Sequence, residues 1–319
     1  MVLHGKARLS AWMLTWLACG MSVIFLWPTW ASLADFWFGV NRYSHGPLIV
    51  VVSLYMLASL RSFLRATPPR PQVSALIPLA FLLFAWMVAV LASVQAIHQV
   101  LLPVVVWVLF LVLLGWSISK RLILPAAYLY LAIPVWESGN FFLQWLTVQA
   151  VGIALAIMRV PAFIEGNHVT LPAGSFSVDG GCSGLHYLIV AIAISVLYSN
   201  LWLKSSSKKI LLIALAVLMA LATNWVRVFV VVYAGHLTDM QHYLVTHNHY
   251  YFGWLLFACA LIPYLLFARR IERSDELISQ PRPAAPKSIR TKPAASLAVV
   301  GSLIVMVACS AITVSYTHL

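Results

Sequence analysis

Long apolar runs constrain this chain more than any other feature. Stretches at 11–28, 47–63, 73–93, 99–117, 122–136, 184–203, 209–232, 250–268 and 294–314 are each dominated by apolar residues, and 143–160 is a weaker tenth. A helix needs about 20 such residues to cross a bilayer, so these runs read as spans. Composition agrees: 62% of the 319 residues are hydrophobic and 9% are charged. A soluble domain carries about 25% charged residues and could not cover its surface with so few. The expected fold is an all-α polytopic membrane protein with about eight transmembrane helices. The first run lacks a small-residue cleavage site and reads as a retained span.

Basic clusters set the direction of the spans. The formal charge of +12 comes from short groups between apolar runs rather than from a basic domain, which argues against nucleic-acid binding. Lys6 and Arg8, then Arg61, Arg65 and Arg70, Lys120 and Arg121, Lys204, Lys208 and Lys209, and Arg269, Arg270 and Arg273 mark cytoplasmic segments. Between Arg121 and Lys204 the crossings must be even in number. With 122–136 and 184–203 as spans, the segment 143–160, which carries Gln144, Thr147, Gln149 and Arg159, is expected to be an interfacial or re-entrant helix. The stretch from Glu165 to Val178 alternates apolar and polar residues around Pro172-Ala173-Gly174 and suggests a short extracytoplasmic hairpin. The expected organisation is a transmembrane domain at 1–273, a Pro-rich cytoplasmic linker at 274–293 and an appended helix at 294–319. That last helix reads as the start of a second, truncated domain.

Three polar features stand out. Gly180-Gly181-Cys182-Ser183-Gly184 directly precedes a span. The glycines allow a tight turn, and the following helix N-terminus favours a thiolate, while Asp179 opposes it. The bland alternative is a Gly-rich helix entry with an incidental cysteine. The other cysteines, Cys19, Cys259 and Cys309, lie in apolar runs and behave as small hydrophobes. Arg227 falls near the outer end of the span that begins at Lys209, with Asn224 one turn earlier on the same face. An ionisable group there marks a functional site unless it merely snorkels to the headgroups. Finally, His236, Asp239, His242, His247 and His249 fall in one outer loop. Histidine suits a general base, and the spacings match no common zinc motif, so no metal or other cofactor is expected. The aromatic run Tyr250-Tyr251-Phe252-Gly253-Trp254 reads as an interfacial belt.

The basic loops place Cys182, Arg227 and His249 at one membrane face. A thiol, a cation and an imidazole there make a workable acyl-transfer site. The segments GGCSGLHYL (180–188), NWVRV (224–228) and NHYYFGW (248–254), in that order on successive spans, resemble the motifs of the exosortase/archaeosortase family. Tyr43-Ser44-His45-Gly46 and the fifth span with Pro125 and Pro134 are similar to that family too. The likeness covers most of 30–270. It departs at His186, where the family often has Arg, and at Gly181, where Ala is common.

This resemblance implies a multi-pass plasma (inner) membrane cysteine transpeptidase with its active site on the extracytoplasmic face. Its substrates would be secreted proteins ending in a PEP-CTERM-like signal: a short motif, one spanning helix and a basic tail. Cys182 would form a thioester, Arg227 would hold the oxyanion or thiolate, and His249 would shuttle the proton. Asn224, Ser183 and His247 are the supporting or alternative residues. Exopolysaccharide-assembly proteins are further expected partners. Three other functions compete: a membrane cysteine protease without transfer, a secondary transporter that binds an anion at Arg227, and a structural subunit of an export complex.

Overall fold

A computed structural model describes residues 10–39, 43–246 and 249–278. It is mostly helical, and the described residues fall into two compact units that divide after Val135.

The first unit contains α1 (Ala11–Phe25), α2 (Trp27–Phe38), α3 (Gly46–Ser59), α4 (Arg61–Ala66), α5 (Leu76–Leu91), α6 (Gln95–Leu114), α7 (Trp116–Ser119) and α8 (Ile123–Tyr128). Pro28 follows a sharp break at Leu26, and α1 and α2 meet at 80°. A small polar network joins α2 to α5 and α6. Thr29 Oγ1 lies 3.0 Å from His98 Nδ1, and Trp86 Nε1 donates to the same Thr29 oxygen at 2.7 Å. Pairing such groups inside the bundle removes the cost of leaving them bare in an apolar medium.

The second unit contains α9 (Asn140–Ile157), a three-stranded antiparallel sheet, α10 (Leu185–Trp202), α11 (Ser206–Leu237), α12 (Tyr243–Thr246) and α13 (His249–Ile278). In the sheet, β1 (Phe163–Glu165) pairs with β2 (His168–Leu171), which pairs with β3 (Gly174–Ser177). A core of Val148, Val151 and Leu155 from α9, Val169 and Leu171 from β2, and Val228 and Val232 from α11 lies between the sheet and the helices. Cys182 packs against its edge.

Among the described residues, six helices are long and apolar enough to cross a membrane, or seven if α1 and α2 form one bent span. The expected count of about eight included two segments that form shorter helices. The run at 47–63 breaks at Leu60, leaving α3 with 14 residues, about 21 Å at the helical rise. The run at 122–136 forms α8 and a 3-10 turn, Leu129–Ala132, before Ile133 turns extended ahead of Pro134. Proline disfavours helix at the residue before it, so this run is too short to span. Conversely, the segment set aside at 143–160 lies in an apolar helical stretch, Pro134–Ile157, that qualifies. Of its polar residues, Gln144 and Thr147 turn inward, whereas Gln149 and Arg159 are exposed. Thr147 is buried and donates to Leu143 O, and Gln144 Oε1 accepts from Asn167 Nδ2 at 3.1 Å. Phe141, Phe142, Ile153 and Ile157 form its exposed apolar side, as lipid contact requires. At the other end of the chain, α13 runs on to Ile278, five residues into the segment expected as a linker. The rest of that linker and the appended helix lie outside the described residues.

Candidate active site

Cys182 ends a 3-10 turn, Gly180–Cys182, whose backbone closes when Cys182 N donates to Asp179 O at 2.7 Å. Gly184 then sits at φ +85°, in the left-handed region, and α10 starts at the next residue. Glycine adopts that conformation without steric cost. The position is closed to other residues on a second ground, because a Cβ there would lie 2.7 Å from Asn224 Cγ. The break at Gly184 keeps the cysteine in a separate turn just before the helix.

Helix α11 holds that turn from beneath. Asn224 is fully buried, and its Nδ2 donates to Cys182 O at 2.9 Å and to Thr147 Oγ1 at 3.1 Å. Arg227, 2% exposed, donates from Nη1 to Gly181 O at 3.2 Å. Two residues one turn apart therefore bind the carbonyls on both sides of the Cys182 amide. The Arg227 guanidinium also lies 5.7 Å from the Tyr187 ring centre, within cation–π range. Ser183 faces α9: its Oγ donates to Asn140 Oδ1 at 2.7 Å, and Asn140 in turn bonds Glu137.

Helix α13 closes the third side. A Cβ on Gly253 would collide with the Tyr187 hydroxyl and come within 2.6 Å of Arg227 Cδ, so the backbone of α13 touches both side chains. Tyr187 stacks on Phe257 at 5.3 Å and meets Trp254 edge-on at 5.1 Å. Trp254 and Phe257 are buried, so this part of the aromatic run packs against α10 instead of forming an interfacial belt, while Tyr251 stays exposed.

Cys182 and Arg227 open onto one cavity of about 320 Å³. Its walls come from β3, Asp179 and Gly181, from Val228, Val231 and Val232 of α11, and from Met240 and Val245 beyond it. Thus the adjacent Cys182 and Ser183 are brought together with Asn224 and Arg227, which come from a helix more than 40 residues further along the chain (Asn224 lies 42 residues after Cys182). His249 begins α13, one helical turn before Gly253. His247 lies outside the described residues. His242 is used locally, with Nδ1 accepting from Leu244 N at 3.1 Å. Among the described residues no three His, Cys, Asp or Glu side chains converge as metal ligands do.

Asn140 and Thr147 are the two site residues that sequence reasoning missed. Thr147 was noted only as a polar residue in a weak apolar run and Asn140 falls between two runs, and their partners lie 43 and 77 residues away.

A buried cation and a thiol sharing a cavity at the ends of membrane-spanning helices define a polytopic membrane protein with a candidate catalytic pocket. Residues 30–266 match the family described as Transmembrane exosortase (Exosortase_EpsH), and the chain belongs to that family. No curated protein and no solved structure matches it.

Proposed function

We propose that this protein is a membrane cysteine transpeptidase that processes the C-terminal sorting signals of secreted proteins. The observation that carries this reading is the shared cavity of Cys182 and Arg227, with α11 fastened to the carbonyls on either side of the cysteine. The Cys182 thiolate attacks the scissile carbonyl, and the developing oxyanion lies beside the Arg227 guanidinium. The tetrahedral intermediate collapses to a thioester as the C–N bond breaks, and His249 gives a proton to the departing amine. An acceptor nucleophile then attacks the thioester, returning the proton to His249 and releasing the thiolate.

The positions of the basic residues support an extracytoplasmic site. If Pro134–Ile157 crosses in place of 122–136, the number of crossings between Arg121 and Lys204 stays even. The segment from Val160 to Gly184 then remains on the outer side of a plasma (inner) membrane. Ser206 begins α11 beside Lys208 and Lys209, and Arg227 stands roughly 32 Å along that helix, about one hydrocarbon thickness away.

Replacing Cys182 by Ala should abolish processing of a co-expressed protein that ends in a short motif, one spanning helix and a basic tail. Normal processing by that variant sinks the proposal. Mass analysis of the released chain separates transfer from simple proteolysis: an added group at the new C-terminus means transfer, and a free carboxylate means a cysteine protease.

A further inference from the structure

The cavity that holds Cys182 borders only one strand of the sheet. The consecutive residues Ser175, Phe176 and Ser177 of β3 line it, whereas no residue of β1 or β2 does. It therefore lies along the edge of β3. That edge is unpaired within the sheet, because the strand order is β1-β2-β3.

The register identifies which backbone groups point into the cavity. Val178 N donates to Asn167 O at 2.9 Å, and Val169 pairs with Phe176 two residues up the ladder. Backbone polar groups on an antiparallel strand alternate in direction, so Phe176 and Val178 turn theirs toward β2. Ser175 and Ser177 turn their N–H and C=O groups outward, to the free edge. Edge groups of this kind are a template for another extended chain. The Phe176 side chain faces α11, where it meets Gly235, so an added strand would have alternate side chains on the same apolar wall of Val228, Val231 and Val232. From the end of β3 the chain passes through Asp179 directly into the Cys182 turn.

We propose that β3 is the substrate-binding strand. An extended peptide segment adds to its free edge as a fourth strand, through the backbone groups of Ser175 and Ser177, which brings its scissile bond to Cys182. The partner is an unfolded segment with apolar or small residues at every second position. Its main chain supplies the affinity and its alternate side chains the selectivity. This deepens the transpeptidase reading and rests on it for the identity of the peptide.

Disulfide mapping tests the proposal without requiring turnover. The full chain carries Cys182→Ala and has Cys19, Cys259 and Cys309 replaced by Ala, with a single new cysteine from Ser175→Cys or Ser177→Cys. The probe is a membrane-anchored reporter with one cysteine walked through six consecutive positions before its spanning helix. Crosslinks at every second reporter position are expected, with maxima shifted by about two positions between the two sites. A Thr170→Cys control on β2 should give none. Ser175→Pro removes an edge N–H, leaves the ladder to β2 intact, and should lower the Ser177→Cys yield about tenfold. Crosslinks without alternation, equal crosslinks from β2, or no crosslinks in a chain that elutes as a folded monodisperse species overturn the proposal. Reporter processing that survives Cys182→Ala would instead overturn the transpeptidase reading, and the crosslinking pattern would still decide where the peptide lies.

Discussion

Asn224 gives its amide nitrogen to two acceptors. The Thr147 hydroxyl already donates to Leu143 O, so it can only accept from Asn224, as can the Cys182 carbonyl. This fixes the orientation of the amide and leaves Asn224 Oδ1 buried without a hydrogen-bond partner among the described residues. An unmatched buried acceptor costs about 1–3 kcal/mol, which a water or an incoming substrate donor would relieve. Asn224→Asp should be severe, because it sets a carboxylate oxygen against two acceptors; at least a tenfold loss of processing rate is expected. Thr147→Val removes one acceptor and should cost about 1 kcal/mol, or roughly fivefold, in the same assay. Equal activity of wild type and Asn224→Asp would mean that α11 does not position the cysteine. Cys182 and Arg227 could be singled out from the chain alone, since a polar turn or an ionisable group is conspicuous beside apolar spans. Asn140 and Thr147 could not, because their significance depends on partners that only the fold brings near.

Among the elements, α9 belongs to a helical stretch long and apolar enough to cross a membrane, whereas the segment around α8 forms only short helices. Hydropathy over 122–136 is high, but a window average does not register that Pro134 forces Ile133 out of the helix. In 143–160 the polar side chains lowered the apparent apolarity, although Gln144 and Thr147 are paired inside the unit. The helices bearing the three motifs were legible because their basic flanks and apolar lengths agree. How closely they approach was not, as it depends on glycines that meet particular side chains. Gly253 shows this most clearly. Gly253→Ala forces a Cβ against Arg227 and Tyr187 and should destabilise by about 1–3 kcal/mol, lowering both the unfolding temperature and the processing rate. Gly20→Ala in α1, where a Cβ meets nothing within 4 Å, should be neutral or stabilise by up to about 1 kcal/mol. Both are measurable by thermal unfolding in detergent, and identical shifts would contradict the close packing of α13 on α11.

For the molecule as a whole, the exposed apolar side chains and the inward polar pairs have the same cause, which is a solvent that offers no hydrogen bonds. The length of α11 has a further consequence. Its 32 residues extend about 48 Å against a hydrocarbon core of about 30 Å, so roughly a dozen residues project past the lipid boundary. Under the proposed function the substrate is held by one spanning helix, and the bond presented to the thiol is then chosen by the relative height of the two helices. In vesicles of increasing acyl-chain length, the processing rate should pass through a maximum. Lengthening the reporter's span by three residues, about 4.5 Å, should move that maximum to thicker bilayers. Under that proposal membrane thickness would serve as the gauge that sets where on its substrate the protein acts.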